Sequence, residues 1–331
     1  MDTRPPTRPL SISQVRLFLS CSHAWHLRYR LGHVPRVGAG AWFGRMIHEA
    51  IQLAYQGLAL DDAVRATWET ACAPIFDALE ELVTLDAEYA AAGRPTSKAA
   101  QAWRDQHPAY DELARRVNAY QAAALGHLRW GKTQSLADYY RRAVVLGERE
   151  AEILIDDPIL IEGRPFRTVE DDEPPAADSA GDDAPFDEEG KAAYSPLVGV
   201  IGGVAVAGVP DIVARRGDTA LVGDYKTGRP LGQAALLEDA QLTIYVELLR
   251  QNGIIAAGQP VEVGHIVLGE REVTHQWAPA SDHARLLSRI ERQLAHVAAL
   301  VAADLTIPRK GIDAGFLSPC ALCDVAHVCD A

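Results

Sequence analysis

The chain has 331 residues, 48% hydrophobic and 23% charged, so it is too long for one small module and too apolar to be disordered throughout. Its formal net charge of −13 argues at first against a polyanionic partner, because phosphate binding requires lysine and arginine. Ten acids lie within Glu170–Glu189, however, and the other 35 nearly balance 32 bases, so nucleic acid remains a candidate partner, especially if a divalent cation adds positive charge.

The first 140 residues have the composition and periodicity of helices. Ser11 and Gln14 have the spacing of a capping box at the start of the first predicted helix, which also contains Cys21. The last predicted helix of this part is broken near Pro108 and Gly131. The predicted helices cover Ser11–Tyr29, Ala41–Tyr55, Asp61–Ala91 and Thr96–Arg142.

The pattern changes to strands near Ala143. The predicted strands cover Val144–Leu146, Ala151–Ile155, Leu160–Ile161, Leu197–Val206, Pro210–Ala214, Ala220–Tyr225, Val261–Leu268 and Val273–Trp277. Helices are predicted over Leu231–Gln251 and His283–Leu305. The acidic segment at about 168–192 is too polar to pack and is predicted to be a disordered loop. Helices followed by mixed strands and helices indicate an α/β fold.

Two carboxylates and a lysine form the most informative pattern. Asp211 opens one apolar strand, and Asp224 and Lys226 lie at the end of the next. Strand alternation points the side chains of Asp224 and Lys226 to the same face. If the two strands form a hairpin, the two carboxylates approach each other and favour a cation such as Mg²⁺ or Mn²⁺ between them.

Three residues elsewhere extend this pattern. Gln241 and Tyr245 are four positions apart on the next predicted helix and therefore share a face. His48 follows the glycine of Gly44-Arg-Met-Ile-His on an early helix. Taken singly, each residue is also compatible with a turn, a surface or a core position.

Together, Gly-x-x-x-His, Asp before an apolar strand, Asp-Tyr-Lys-Thr-Gly and Gln-x-x-x-Tyr resemble the RecB-type branch of the PD-(D/E)XK nuclease superfamily. The resemblance implies a restriction-endonuclease-like core, a mixed sheet flanked by helices. It also implies a metal-dependent phosphodiesterase in which His48, Asp211 and Asp224 surround the metal and Lys226 is the catalytic lysine. Gln241 and Tyr245 are then the supporting motif of the active site.

The family often has a further glutamate on the preceding strand. Glu148, Glu150 and Glu152 alternate along the run that the sequence predicts to be that strand. Glu150 is the first choice among them as a catalytic acid.

Four of the five cysteines form a second pattern. Cys320-x-x-Cys323-x5-Cys329 supplies three thiolates, and Cys21 is the candidate fourth ligand. Four thiolates suit zinc or an iron–sulfur cluster. The CRISPR-associated RecB-like exonucleases and the AddB nuclease domain share this arrangement, so the resemblance implies a 4Fe-4S cluster. Cys72 lies in an Ala-rich helix and is predicted to be a small core residue.

A competing motif, Gly126-His-Leu-Arg-Trp-Gly-Lys-Thr133, satisfies the pattern of a phosphate-binding loop. Such a loop follows a buried strand, whereas Val117–Leu125 has the composition of a helix. A P-loop ATPase is therefore the weaker alternative.

The resemblance divides the chain into N-terminal helices (1–56), a helical insertion (57–142), a nuclease core (143–306) and a cysteine tail (307–331). The insertion either lines a DNA channel with cations and stacking aromatics or presents an ordinary solvated surface. Its candidate DNA contacts are Arg104, Arg115, Arg116, Arg129, Lys132, Arg141, Arg142, Trp103, Tyr120 and Trp130.

The expected function is a metal-dependent DNA exonuclease that acts on single strands or duplex ends, with a structural cluster. The chain lacks helicase motifs, so unwinding would need a partner, such as a helicase or a CRISPR-adaptation or recombination complex. A non-catalytic DNA-binding or assembly subunit is the alternative. The start of the chain does not have the pattern of a signal peptide and no membrane partner is expected, so a cytoplasmic location is predicted.

Overall fold

The structure, a computed structural model, describes residues 9–33, 37–93, 98–132, 134–166, 196–228, 232, 236, 239–269 and 271–303. Residue contacts divide the chain into two compact units. The sheet unit comprises residues 1–35, 155–269 and 274–331, and the helical unit comprises residues 36–154 and 270–273. No helix of the described residues is long and apolar enough to cross a membrane.

The helical unit consists of amphipathic helices. They are α3 (Ala39–Tyr55), α4 (Leu60–Cys72), α5 (Phe76–Ala91), α6 (Lys98–Gln106), α7 (Tyr110–Ala123), α8 (Leu136–Gly147) and α9 (Glu150–Ile153). Pro74 lies in a short 3₁₀ turn that separates α4 from α5, where the sequence predicts one continuous helix. In the core, the ring of Trp68 packs between those of Trp42 and Tyr140.

The predicted strands at Val144–Leu146 and Ala151–Ile155 are wrong. Ser135 caps α8 in a capping box with Asp138, and the helix continues to Gly147. Its buried residues recur at helical spacing, so burial of one helix face overrides the strand preference of Val144 and its neighbours.

The helical unit extends beyond the predicted insertion, since both α3 and α8 pack on α4. Gly147 allows the approach of α8, because a Cβ atom there would lie 3.0 Å from Cα of Asp61. The unit thus runs from about residue 36 to 154. Cys72 is fully buried in it, and burial raises the pKa of its thiol to about 11, which confirms its prediction as a core residue.

The N-terminal part of the sheet unit contains β1 (Leu10–Ser11), α1 (Ile12–Ser20), α2 (Ser22–Trp25) and a π-helical turn (His26–Arg30). Its remaining elements are β2 (Pro158–Ile161), β3 (Arg164–Pro165), β4 (Leu197–Ile201), β5 (Val204–Gly208), β6 (Ile212–Arg216), β7 (Thr219–Lys226), α10 (Ala240–Gln251), β8 (Val261–Leu268), β9 (Val273–Pro279) and α11 (His283–Ala302). Of the helix predicted over Leu231–Gln251, the described part confirms a helical Leu236 and α10 from Ala240, which Asp239 caps.

These strands form two mixed sheets. The larger has the order β3-β2-β6-β7-β8-β9, with β6 and β7 antiparallel and β7 and β8 parallel. The smaller has the order β1-β5-β4. The β4–β5 hairpin turns at Gly202 and Gly203, which both have positive φ, as a type I′ hairpin turn requires.

One face of the larger sheet forms a core with α10 and α11. Ala220 and Val222 of β7 alternate toward this core, and strand periodicity places Asp224 and Lys226 on the same face, at the end of β7. On the opposite face, the paired residues Gly223 and Gly264 leave room for the ring of Trp277. The functional residues therefore lie at the edge of an apolar core.

Candidate active site

Asp211 lies beside the end of β7. Ile212, the first residue of β6, pairs with Gly223, so the residue before it comes next to Asp224 and Tyr225. The Tyr225 amide donates to Oδ2 of Asp211 over 2.8 Å. Hairpin register and this bond therefore hold the two carboxylates at one end of the sheet, as the sequence predicts.

Asp224 is buried and has a polar partner on each oxygen. Nε2 of Gln241 donates to Oδ1 over 2.8 Å, and Nζ of Lys226 forms an ion pair with Oδ2. The Asp224 side chain is 4% exposed and that of Lys226 36%. Lys226 thus compensates a buried charge while its own side chain remains partly exposed.

The start of α10 brings Gln241 and Tyr245 to the same place. The Asp239 side chain caps the helix by accepting a hydrogen bond from the backbone amide of Gln241. One turn later, the Tyr245 hydroxyl accepts a bond of 2.9 Å from Nε2 of Gln241. The Gln-x-x-x-Tyr spacing therefore presents both groups to the sheet end.

Glu162 is an acid that sequence reasoning missed. It lies in the β2–β3 turn with φ of 48°, a conformation that is uncommon outside glycine. Its amide donates to the Asp211 carbonyl over 2.9 Å, and carboxylate oxygens of Glu162 and Asp211 lie within 4.8 Å of each other. The available signal was an acid immediately after the predicted Leu160–Ile161 strand.

Negative charge is concentrated around Tyr245. Burial raises the pKa of its hydroxyl far above the usual range, and the charges of Asp211, Asp224 and Glu162 raise it further. The hydrogen bond from Gln241 acts in the opposite direction without offsetting them. Three carboxylates therefore act on one buried hydroxyl, which stays protonated.

A cleft of about 320 Å³ borders these residues within the sheet unit. Its lining includes Ser11, Ser13, Gly208, Gln241 and Tyr245. At Gly208 a Cβ atom would lie 2.8 Å from the Tyr245 ring, so a side chain there would displace the tyrosine.

Comparison with known families identifies the superfamily of this chain. The profile of the PD-(D/E)XK nuclease superfamily matches residues 9–330, nearly the whole chain. The chain belongs to this superfamily. A comparison with curated proteins finds none that matches significantly.

The PD-(D/E)XK assignment accounts for the mixed sheets flanked by helices, which fit a restriction-endonuclease-like fold, and for the carboxylate cluster. Nucleases of this superfamily use divalent metals. Glu162 and Asp211 supply paired carboxylate oxygens, hard donors of the type that Mg²⁺ and Mn²⁺ prefer. The concentrated negative charge favours a cation further, so the residues fit a metal of this class.

Glu150, the predicted catalytic acid of this PD-(D/E)XK protein, is not on a strand. It begins α9 in the helical unit, where its Oε2 accepts a bond of 2.7 Å from the Leu60 amide at the start of α4. Its backbone is helical because residues 136–153 pack as helices, and its carboxylate stabilises a helix terminus. Of its alternatives, Glu148 is the C-terminal cap of α8 and Glu152 lies within α9.

His48, the predicted metal ligand, is half-buried on α3 of the helical unit. Its place in the metal site remains a prediction from the resemblance.

Of the predicted cluster ligands in this superfamily member, only Cys21 belongs to the described part of the chain. It is half-buried and caps α2, with Sγ accepting a hydrogen bond from the Ala24 amide over 3.4 Å. Cys320, Cys323 and Cys329 lie outside the described residues, as does the acidic segment predicted to be a loop.

The phosphate-loop motif lacks its required context in this PD-(D/E)XK chain. The segment before it is α7, which ends at Ala123, rather than a buried strand. Within the helical unit, Trp130 donates to the Leu125 carbonyl and Tyr120 to the Ala71 carbonyl. Trp103 stacks on His107. These three aromatics, predicted as candidates for base stacking, are thus engaged in internal contacts.

Proposed function

We propose that the protein is a metal-dependent deoxyribonuclease of the RecB-like branch that degrades DNA from single-stranded or duplex ends. One observation carries the proposal: Gln241 and Lys226 each contact one oxygen of buried Asp224, beside the carboxylates of Asp211 and Glu162. A purely structural sheet end would not gather three acids, because buried like charges repel.

Glu162, Asp211 and Asp224 would hold the divalent cation, with His48 as the further ligand that the family resemblance implies. The bound cation supplies Lewis acidity toward the phosphodiester and lowers the pKa of an attacking water. Glu162 replaces Glu150 in this proposal because Glu162 lies beside Asp211.

Lys226 supplies the positive charge of the site. Its side chain is partly exposed, and its ion pair with Asp224 fixes its position. From there it stabilises negative charge that develops on the phosphate and orients the attacking water. The side-chain amide of Gln241 holds Asp224 in place. The neutral Tyr245 hydroxyl accepts a hydrogen bond from the same amide.

The cleft beside Gln241 and Tyr245 gives the DNA strand a route to these groups. Its volume of about 320 Å³ is at the lower end of ligand-sized clefts. Ser11 and Ser13 add polar groups to its lining. We therefore place the strand that leads to the scissile phosphate in this cleft.

Cys21, Cys320, Cys323 and Cys329 are proposed to bind a structural 4Fe-4S cluster. Support comes from their number and spacing, since four thiolates complete a cluster site. Such a cluster would join the α1–α2 region to the end of the sequence. We also propose a cytoplasmic role in DNA repair, recombination or CRISPR adaptation, with a helicase or an adaptation complex as partner.

The decisive experiment measures degradation of end-labelled single-stranded and blunt duplex DNA with Mg²⁺, Mn²⁺ or EDTA. Anaerobically purified wild type is compared with Lys226→Ala and with Lys132→Ala, which tests the phosphate-loop alternative. Metal-dependent cleavage that is lost only in Lys226→Ala supports the nuclease, and the released label gives the polarity.

Two outcomes would contradict this proposal. Cluster-loaded wild type that binds DNA but cleaves no substrate would favour the DNA-binding or assembly subunit. ATP hydrolysis lost in Lys132→Ala but retained in Lys226→Ala would favour the ATPase.

A further inference from the structure

A buried histidine lies next to the site, outside the proposed mechanism. His265 on β8 is 1% exposed and pairs in parallel register with Asp224 on β7. Its Nε2 lies 3.3 Å from Oδ2 of Asp239, slightly beyond the range of a well-formed N–H···O bond. Burial of an imidazole costs free energy unless it has a polar partner, and Asp239 supplies that partner.

Asp239 connects this histidine to Gln241. Oδ1 of Asp239 accepts a hydrogen bond of 2.7 Å from the backbone amide of Gln241, while Oδ2 faces His265. Burial alone would raise the Asp239 pKa, but the contacts with His265, the Gln241 amide and the charge of Lys226 together lower it. The carboxylate is therefore ionised and held between two fixed partners.

The contacts continue to the reactive carboxylate. Asp239 fixes the backbone amide of Gln241. The side chain of Gln241 in turn donates to Oδ1 of Asp224 over 2.8 Å. A path of three polar contacts thus runs from His265 through Asp239 and Gln241 to Asp224.

We propose that His265 is a positioning residue that acts through Asp239 on Gln241 and Asp224; this inference rests on the nuclease function proposed above. The imidazole occupies Oδ2 of Asp239, while Oδ1 of Asp239 accepts from the backbone amide of Gln241. His265 therefore keeps Gln241 in place on Asp224.

The test measures kcat and KM for DNA cleavage, and Mn²⁺ binding by calorimetry without DNA. His265→Leu is expected to lower kcat and Mn²⁺ affinity each about tenfold, the usual scale for groups that orient metal ligands, with KM nearly unchanged. His265→Gln retains an N–H donor and is expected to recover most of both losses. Asp239→Ser preserves a helix cap but removes the acceptor, so it should match His265→Leu.

A double-mutant cycle separates positioning from general destabilisation. In a Gln241→Ala background, His265→Leu is expected to lower kcat less than about twofold further, because its route to Asp224 is already cut. His283→Leu is the matched control, since His283 is another buried histidine with an acidic partner, Glu247, at 3.5 Å. It should leave kcat and Mn²⁺ affinity unchanged.

The inference is overturned if His265→Leu lowers kcat by the same factor in both backgrounds, if His283→Leu causes equal losses, or if His265→Leu leaves kcat and Mn²⁺ affinity unchanged. Failure of the nuclease proposal looks different, because wild type itself then cleaves no DNA. In that case the Mn²⁺ titrations of His265→Leu alone, and of His265→Leu in the Gln241→Ala background, still decide whether His265 positions Asp224.

Discussion

Gln241 donates from its side-chain amide to Oδ1 of buried Asp224 over 2.8 Å, which links the first turn of α10 to the end of β7. The same nitrogen also contacts the Tyr245 hydroxyl. One side-chain amide therefore holds both a buried carboxylate and a neutral phenol, and substitutions at these residues have distinct expected effects.

Glu162→Gln and Glu150→Gln distinguish the two candidate acids. Loss of the Glu162 charge should weaken Mn²⁺ binding and lower kcat about 100-fold, the scale of losing one electrostatic group at a reaction centre. Glu150→Gln should change only stability, by about 1 kcal/mol, because it alters a contact at a helix start. Calorimetric Mn²⁺ titration and chemical unfolding measure the two effects. A loss of Mn²⁺ binding in Glu150→Gln with Glu162→Gln unaffected would reverse this assignment.

Lys226→Met is expected to lower kcat by about 10²–10³-fold and to make the fold more dependent on metal. Without the lysine, the buried Asp224 charge loses its ion-pair partner. Addition of Mg²⁺ should therefore raise the melting temperature more in Lys226→Met than in wild type. Thermal unfolding with Mg²⁺ and with EDTA checks this, and an equal or smaller shift in the variant would contradict it.

Tyr245→Phe should lower kcat only about fivefold, the value of one hydrogen bond of about 1 kcal/mol. Since burial and three neighbouring carboxylates raise its pKa far above the usual range, Tyr245 stays neutral throughout the working pH range. The pH dependence of kcat should therefore have the same basic limb in wild type and in Tyr245→Phe. A basic limb that disappears in the variant would show that Tyr245 titrates.

Asp138→Asn should remove part of the acid sensitivity of the helical unit. Burial raises the Asp138 pKa, but bonds from Ser135 and the charge of Arg141 outweigh burial and lower it below 3.8. A lowered pKa gives stability that is present above about pH 3.8 and is lost as the pH falls through the folded-state value. Urea unfolding should show wild type about 1 kcal/mol more stable at neutral pH, with the difference shrinking in acid. A difference that persists at low pH would contradict the assignment.

Cys21→Ser and Cys320→Ser should each abolish the visible absorption of the proposed cluster and reduce its iron content, because each removes one of four thiolates. Cys72→Ser is the matched control, since this cysteine is fully buried in the helical unit. Its anaerobically purified protein should retain wild-type iron. Loss of iron in the control alone would invalidate the ligand set.

Much of the fold follows from local sequence patterns. Apolar runs over Pro210–Ala214 and Ala220–Tyr225 predict the two strands that form the β6–β7 hairpin, and Val261–Leu268 forms a strand as predicted. The spacing of Asp224 and Lys226 placed both side chains on one face, because strand alternation is a property of the backbone. These features need only neighbours along the chain.

Tertiary packing decided the rest. Residues 144–153 have strand-like composition, but burial against the other helices makes them helical and carries Glu150 to a helix terminus. Glu162 lies at the site because its turn adopts positive φ. His265 lies beside Asp224 because β8 pairs in register with β7, which is distant in sequence. The sequence alone thus determined which chemical groups are available at adjacent strand ends. Only the fold decided which distant acid and which buried histidine join them, because pairing between strands depends on the packing of the whole unit.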